Sequence, residues 1–171
     1  SKRTELRQSL ISTGFPYRPG DNFSRYLRLM SEVMQRTAGL RRPGAAALDL
    51  AYVAAGYTDG FFEIGLSPWD VAAGSLLVQE AGGLVGNFTG EADFLEQKEC
   101  LAGNPRIYGQ LVPILHKYSK FASAGEKAQV RQQEQQQDAQ EPSAAAADAG
   151  AEGGANANAG PNASTAPDAP L

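Results

Sequence analysis

In the first long and mostly polar stretch of the chain, apolar residues recur at helical spacing. From about residue 24 to residue 37 the apolar positions fall three or four residues apart, which predicts an amphipathic helix. Asn22 or Ser24 can cap its N-terminus, and Gly39 can close its end. We therefore expect a first helix with one face on a core and the other in solvent.

Three later segments predict further helices. Residues 45–55 are small or apolar apart from Asp49 and are followed by a glycine, which indicates a buried helix. Residues 69–81 form a second small-residue helix, opened by Pro68 and ended by two glycines. A last helix begins at Pro105 and has these residues on one face: Ile107, Leu111, Leu115 and Tyr118.

Short apolar runs between the helices predict strands. Residues 10–11 fit the end of a strand that breaks at the glycine and proline that follow, and residues 60–65 predict a buried strand. Residues 84–85 and 87–89 together predict one more strand, and residues 100–102 another. Because strands and helices are mixed along the chain, with no internal repeat, we assign the α/β class.

Composition divides the chain of 171 residues near Phe121. All seven phenylalanines, all six tyrosines and the one tryptophan lie in residues 1–121, which hold 13 basic and 12 acidic side chains. Residues 122–171 hold 2 basic and 7 acidic side chains and are rich in Gln, Ala, Gly and Pro. A segment without aromatic side chains cannot offset its ordering entropy by apolar burial. We therefore predict one domain over residues 1–121 and a disordered acidic tail over residues 122–171.

Composition and charge also exclude several classes of protein. No stretch approaches the ~20 apolar residues of a membrane span, and the near-neutral first part lacks the basic stripe of a nucleic-acid-binding protein. The one cysteine, Cys100, excludes an internal disulfide and the Cys₄ and Cys₂His₂ zinc sites. We predict that Cys100 is a core residue and that His116 lies at the surface or caps a helix. The absence of a secretory signal indicates the cytoplasm.

The densest chemical information lies in residues 67–74, SPWDVAAG. This sequence places the Asp70 carboxylate in the first turn of a helix, beside Trp69 and before three small residues that allow another backbone to approach closely. In one interpretation Asp70 only stabilises the helix N-terminus through the dipole and the free amides. In the other, a ligand reaches carboxylate and backbone together, and Asp70 can then bind a hard cation such as Mg²⁺.

A second carboxylate, Glu63, interrupts an apolar strand and needs a partner if it is buried. It is expected either to pair with an arginine or to face a polar ligand, and Arg41 and Arg42 are the nearby candidates in sequence. The alternative for the two arginines is a solvated pair. Residues 44–47 open a helix, so their free amides can receive phosphate or hydroxyl oxygens.

Taken together, these segments resemble the inositol monophosphatase family. The most specific match is to the family's C-terminal signature, WDVAAG at residues 69–74 with EAGG at residues 80–83. Further matches are RRPGAAALDLA at 41–51, DGFFE at 59–63 and AGNP at 102–105. The similarity extends from about residue 1 to residue 115 and is greatest with the bacterial members of the family.

The resemblance implies a Mg²⁺-dependent, lithium-sensitive phosphomonoesterase that hydrolyses myo-inositol phosphates to inositol and phosphate. In that role Asp70 is a metal ligand that also meets a substrate hydroxyl, and Glu63 hydrogen-bonds the inositol hydroxyls. The metals activate water and stabilise the charge of the transferred phosphoryl group. The implied substrate-binding residues are Arg41, Gly44, Ala45, Ala46, Glu63 and Asp70.

The chain departs from the family pattern in its metal ligands. The family's other ligands lie upstream, in a Glu-Glu segment and an Asp-Pro-x-Asp-Gly-Thr segment that do not occur here. One carboxylate cannot hold two or three Mg²⁺ ions. Because the chain also begins at Ser1 and not at Met, we expect it to be the C-terminal half of the enzyme, inactive alone and with no catalytic residue beyond the metal ligand. The implied fold is the C-terminal half of an α-β-α-β-α sandwich, with faces exposed that the N-terminal half would cover.

Two alternatives to an inositol phosphatase stay open. The first is a phosphatase of the same superfamily that acts on another small phosphate, such as a nucleotide bisphosphate or histidinol phosphate. The second is non-enzymatic, because bacterial relatives in the family also act in transcription antitermination complexes with ribosomal RNA operons. The resemblance further implies a homodimer for the complete protein. The lack of a long apolar stretch predicts no membrane partner.

Overall fold

The computed structural model describes residues 1–17 and 22–122. Within these residues the helices are α1 (Phe23–Arg36), α2 (Ala46–Ala55), α3 (Pro68–Glu80), α4 (Phe94–Gln97) and α5 (Pro105–His116). The strands are β1 (Leu10–Thr13), β2 (Gly39–Arg41), β3 (Gly60–Ile64), β4 (Leu84–Gly86) and β5 (Glu99–Gly103). A turn of 3-10 helix, Leu6–Gln8, precedes β1.

The five strands form one mixed sheet in the order β2-β1-β3-β5-β4. β1 is parallel to both β2 and β3, whereas β5 is antiparallel to both β3 and β4. The carboxyl ends of β1, β2 and β3 therefore meet at one edge of the sheet, which we call the C-terminal edge. This mixed sheet with its helices confirms the α/β assignment.

Successive side chains of β3 point to opposite faces of the sheet and join two separate cores. Phe62 is fully buried among residues of α1 and α5, in a cluster that includes Leu29 and Leu111. Phe61 is fully buried on the other face, in a cluster that includes Leu50 of α2. The sheet is therefore covered by α1 and α5 on one side and by α2 and α3 on the other.

Capping residues mark the starts and ends of helices at positions that the sequence predicts. The Asn22 side chain accepts a hydrogen bond from the Arg25 backbone N–H at 2.9 Å and so caps α1. Gly56 follows α2 in a left-handed conformation with φ 79°, which a residue with a Cβ adopts only at a cost. The predicted helices therefore match those of the structure to within one or two residues at each end.

Two predictions of local structure are wrong. Residues 87–89 do not extend the strand that begins at Leu84, because the Asn87 side chain accepts hydrogen bonds from the backbone N–H groups of Thr89 and Glu91 and stabilises a turn. Gly39 does not end α1, since it begins the three-residue strand β2, and α1 is followed by Thr37. A strand this short leaves too few residues for a pattern.

The last described residues are held by a buried carboxylate. Glu99 accepts hydrogen bonds from the Ser119 hydroxyl at 2.6 Å and the Lys120 backbone N–H at 2.7 Å, and Ala122 is buried. The predicted disordered tail lies, from residue 123 onward, outside the described residues, so it stays a prediction. Within the described part of the chain, none of the helices has the length and apolar character needed to span a membrane.

Candidate functional site

The C-terminal edge brings the predicted site residues to one side of the sheet. Arg41 is the last residue of β2, Glu63 lies one residue before the end of β3, and Asp70 lies in the first turn of α3, which follows β3. β1 leads to α1 on one face, whereas β2 and β3 lead to α2 and α3 on the other face. In sheets of this kind, ligands bind in the crevice formed where neighbouring connections leave to opposite faces.

Glu63 is half-buried and extends across the end of β1. The pairing of β1 with β3 places Thr13 beside Phe62 and therefore Gly14 beside Glu63. A Cβ at Gly14 would overlap the Glu63 carboxylate, so this close contact requires the absence of a side chain at residue 14. The prediction of a buried strand thus holds for Gly60, Phe61 and Phe62, whereas Glu63 and Ile64 are half-buried at the C-terminal edge.

Asp70 has the structural role predicted by the first interpretation of its sequence. Its carboxylate accepts a hydrogen bond from the Ser67 backbone N–H at 2.8 Å and thereby stabilises the start of α3. Among the described residues it makes no other hydrogen bond, and the side chain is half-buried. The same carboxylate is therefore available to a cation, and the two interpretations are compatible.

The described residues do not provide a complete metal site. Within residues 1–17 and 22–122 there is no group of three or more His, Cys, Asp or Glu side chains that could hold a metal ion. Mg²⁺ prefers oxygen ligands and is commonly bound by one or two carboxylates together with water and substrate oxygens. Asp70 fits as one such ligand but does not form a site alone.

The segment between β2 and α2 exposes backbone groups at the same edge. Gly44 has φ +94°, and α2 starts after Ala45 without a side-chain cap from the described residues. Residues 44 and 45 are exposed, and Ala46 is half-buried. The first N–H groups of a helix have no partner within it, so they can donate to an acceptor on a ligand.

The two arginines before this segment have different environments. The Arg41 guanidinium donates to the backbone carbonyl of Leu40 at 3.0 Å and is exposed, as expected for a solvated side chain. The Arg42 guanidinium lies over the rings of Phe15 and Tyr17, at 5.2 and 5.4 Å from their centroids. Cation–π contacts of this kind order an exposed guanidinium. Both arginines are therefore exposed, as the solvated-pair interpretation predicts, and Arg42 has aromatic partners in addition.

The small residues after Asp70 serve helix packing. Gly74 is buried, and a Cβ there would lie 2.6 Å from the Cβ of Leu50, so the close approach is made by α2. Ala72 and Ala73 are exposed, as is Trp69, with 81% of its surface accessible. Gly74 thus allows a close approach, as predicted, but the approaching atoms belong to the Leu50 side chain of α2 and not to a backbone or a ligand.

Two buried polar residues near the site were not predicted to be functional. Asp49, in the first turn of α2, and Ser12, in β1, have no accessible surface. Neither the Asp49 carboxylate oxygens nor the Ser12 hydroxyl has a hydrogen-bond partner among the described residues. The signal in the sequence was the single acidic residue in an otherwise apolar helix.

The prediction for Cys100 is confirmed, because it is a buried free cysteine whose pKa is raised by burial. His116 is the half-buried last residue of α5, and the capping position after it is taken by Lys117.

Comparison with known proteins gives a consistent result. Residues 1–120 match the model of the inositol monophosphatase family. The chain is 51% identical over 120 residues to the Nus factor SuhB of Pseudomonas aeruginosa, which covers 69% of this chain and 44% of that protein. The chain thus spans less than half the length of that relative.

Solved structures of related proteins have the same fold. The extragenic suppressor protein suhB from Bartonella henselae is 48% identical with a TM-score of 0.64, and the match covers 67% of this chain and 44% of the other. The inositol monophosphatase from Anabaena is 40% identical with a TM-score of 0.61, over 68% of this chain and 46% of the other.

Proposed function

Because the chain belongs to the inositol monophosphatase family, we propose that it forms the substrate-side half of a Mg²⁺-dependent phosphomonoesterase that hydrolyses myo-inositol monophosphate. The observation that supports this most is the arrangement at the C-terminal edge. There the Glu63 carboxylate, the helix start at residues 44–46 and the Asp70 carboxylate come from three consecutive chain segments. The hydroxyls of a polyhydroxylated phosphate need hydrogen-bond acceptors, and its oxygens need hydrogen-bond donors. The metal ion that binds with it needs a ligand.

Each group in this arrangement has a chemical role in the proposal. The Glu63 carboxylate accepts hydrogen bonds from ring hydroxyls, and a charged acceptor makes these bonds about twice as strong as neutral ones. The backbone of Gly44, Ala45 and Ala46 contacts the ring, and the exposed Arg41 supplies a positive charge at the rim. The half-buried Asp70 carboxylate meets one substrate hydroxyl as well as the cation.

The metal requires residues beyond this chain. A bound Mg²⁺ supplies charge stabilisation to the phosphoryl group, and Asp70 is the one ligand that we propose from the described residues. The remaining carboxylates belong, in this proposal, to the part of the complete protein that corresponds to the uncovered half of the relatives. We also propose that the complete protein is a cytoplasmic homodimer.

An assay of the complete protein tests the proposed substrate class. Phosphate release is measured with inositol 1-phosphate, 3′-phosphoadenosine 5′-phosphate and histidinol phosphate at the same Mg²⁺ concentration. We expect the highest kcat/KM for inositol 1-phosphate, because Glu63 and the helix start favour a ring with several hydroxyls. A higher value for either of the other two would assign the protein to a different phosphatase of the superfamily.

A second function is favoured by the names of the most similar relatives. The protein from Pseudomonas aeruginosa is named a Nus factor, so we also propose that the complete protein takes part in transcription antitermination. The two functions are compatible, since a protein partner can bind a surface away from the C-terminal edge. Reporter transcription through a terminator downstream of a ribosomal RNA leader, with and without the gene, tests this role. Equal read-through in both strains would contradict it.

A further inference from the structure

Two buried hydroxyl groups connect α1 to the backbone of β3 directly beside Glu63. The Thr13 hydroxyl donates to the Phe62 backbone carbonyl at 2.7 Å, and the hydroxyl oxygens of Thr13 and Tyr26 lie 2.5 Å apart. Thr13 has no accessible surface, and Tyr26 is 2% exposed. Valine and phenylalanine would fill the same space without a polar group to bury, so the pair of hydroxyls needs a reason.

The direction of both hydrogen bonds follows from the chemistry of the partners. A backbone carbonyl only accepts, so the single hydrogen of the Thr13 hydroxyl is directed to Phe62, and the other carbonyl nearby, that of Gly14, is farther away at 3.3 Å. The Tyr26 hydroxyl is therefore the donor to Thr13. Burial raises the pKa of Tyr26, the hydrogen bond with Thr13 lowers it less, and the Glu63 charge raises it further. The phenol thus keeps the hydrogen that it donates.

Thr13 restrains Glu63 at two points. The Phe62 carbonyl belongs to the peptide group that joins Phe62 to Glu63, so the hydrogen bond from Thr13 holds the backbone from which the Glu63 side chain extends. Gly14, the residue after Thr13, lies so close to the Glu63 carboxylate that a Cβ at residue 14 would overlap it. The position of Thr13 therefore affects both the base and the tip of the Glu63 side chain.

The Tyr26 ring keeps the first donor in place. It packs against the Phe62 ring with 6.0 Å between the centroids and 43° between the ring planes. Both rings belong to the core on the α1 and α5 face of the sheet. A side chain that is packed in this way has few orientations open to it, so its hydroxyl is held ready to donate to Thr13.

We propose that Thr13 and Tyr26 are positioning residues for the Glu63 carboxylate: the Thr13 hydroxyl, held by Tyr26, fixes the peptide group before Glu63 and so orients the carboxylate towards the substrate hydroxyls. This inference rests on the proposed function, in which Glu63 accepts those hydrogen bonds. A binding group acts with full strength only when the residues behind it are fixed by packing and hydrogen bonds of their own. Neither Thr13 nor Tyr26 touches the substrate in this proposal.

Another threonine provides a matched control. The Thr37 hydroxyl donates to the Val33 backbone carbonyl at 2.9 Å, so Thr37→Val removes the same kind of hydrogen bond as Thr13→Val. Thr37 lies after the end of α1 and just before the start of β2, at the edge of the sheet opposite to the site. Its hydroxyl therefore has a structural role alone.

The experiment compares Thr13→Val, Thr13→Ser, Tyr26→Phe and Thr37→Val in the complete protein. For Thr13→Val we expect KM for inositol 1-phosphate to rise about 5-fold with kcat changed less than about 2-fold, because a hydrogen bond of ordinary strength corresponds to roughly this factor. Thr13→Ser keeps the hydroxyl, so its KM is expected within about 2-fold of the wild type. Tyr26→Phe keeps the bond from Thr13 to Phe62 and should give a smaller rise, about 3-fold. Thr37→Val is expected to leave KM unchanged.

A double-mutant cycle with Glu63→Gln separates positioning of Glu63 from general loss of structure. If Thr13 acts through the Glu63 carboxylate, Thr13→Val should change KM by less than about 2-fold when Glu63→Gln is already present, since coupled residues have non-additive effects. A wild-type KM for Thr13→Val, or an equal rise of KM with and without Glu63→Gln, would overturn the inference. If Thr13→Val does not fold, Tyr26→Phe takes its place in the cycle, with the same overturning results.

Amide hydrogen exchange provides a readout that does not depend on phosphatase activity. If the wild-type protein hydrolyses no phosphomonoester, the proposed function fails, and exchange at residues 63–65 decides whether Thr13 holds the backbone at Glu63. We then expect faster exchange at these residues in Thr13→Val than in Thr13→Ser and Thr37→Val. Equal rates in the three variants would overturn the inference.

Discussion

At the scale of single residues, the contact between Gly14 and Glu63 sets the position of a proposed substrate-binding carboxylate. A methyl group at Gly14 would overlap that carboxylate. Because the overlapping atoms are the end of a flexible side chain, we expect Gly14→Ala to displace Glu63 without unfolding the protein. In the complete enzyme, KM for inositol 1-phosphate should rise several-fold, and the thermal midpoint should change little.

The variant Glu63→Gln is the reference for this test. Loss of the charged acceptor weakens hydrogen bonds to hydroxyls, each by about 1 kcal/mol, so substrate binding and discrimination should suffer while Mg²⁺ dependence is unchanged. Kinetics with inositol 1-phosphate and a simpler phosphomonoester measure this. A change confined to Mg²⁺ affinity would show that Glu63 has a different role.

The Asp70 side chain stabilises the start of α3 and is also a proposed metal ligand. A second cap variant separates the two roles. Asp70→Asn in the complete protein should remove most activity at ordinary Mg²⁺ concentrations and leave the protein folded. The control is Asn104→Ala, because the Asn104 side chain caps α5 by accepting from two backbone N–H groups at 3.0 Å. Loss of that cap should cost about 1 kcal/mol of stability without loss of turnover. Near-normal turnover of Asp70→Asn would contradict the metal assignment.

The sequence predicted the residue types of the site better than their contacts. Glu63 stood out because a carboxylate in an apolar strand needs a partner, and Asp70 because it lies in the first turn of a helix before three small residues. The dependence of Glu63 on Gly14 was not visible, since it follows from the register of two strands about 50 residues apart. The complete burial of Asp49 was not visible either, because one sequence does not show which strand a helix covers.

At the scale of elements, the packing of α2 on α3 depends on one glycine. A Cβ at Gly74 would lie 2.6 Å from the Leu50 Cβ, closer than any unstrained contact. We expect Gly74→Ala to lower the free energy of unfolding by about 1–3 kcal/mol through overpacking. Chemical denaturation of the complete protein measures this.

A second helical glycine gives the opposite expectation. Gly109 in α5 is exposed, and a Cβ there would have none of the described atoms within 4 Å. Gly109→Ala should therefore stabilise the protein by roughly 0.5–1 kcal/mol, since alanine is the better helix former. Equal effects of the two substitutions would show that packing between α2 and α3 is not responsible for the loss.

Helices were predicted more accurately than strands. Apolar spacing, capping residues and glycine stops define α1, α2, α3 and α5 locally. β2 has only three residues and was missed, and the short helix α4 gave no periodic signal. The turn at Asn87 replaced a predicted strand, because side-chain hydrogen bonds to the backbone competed with the sheet.

At the scale of the whole molecule, the outer surface of α2 and α3 is apolar. More than one third of each of these large side chains is exposed there: Leu48, Tyr52, Leu76 and Leu77. Apolar surface of this extent on neighbouring helices is typical of an interface. The chain spans 44% of the length of its relative from Pseudomonas aeruginosa, so we propose that the remainder of the complete protein covers this surface and supplies the other metal ligands.

A calorimetric titration with Mg²⁺ tests most directly the central claim, that Asp70 is one ligand of a metal site shared with residues outside this chain. The titration compares the complete protein, its Asp70→Asn variant and the present chain of 171 residues. We predict saturable binding to the complete protein, at least about 10-fold weaker binding to Asp70→Asn, and no saturable binding to the present chain. Unchanged affinity in Asp70→Asn, or binding of the present chain with the affinity of the complete protein, would contradict the account.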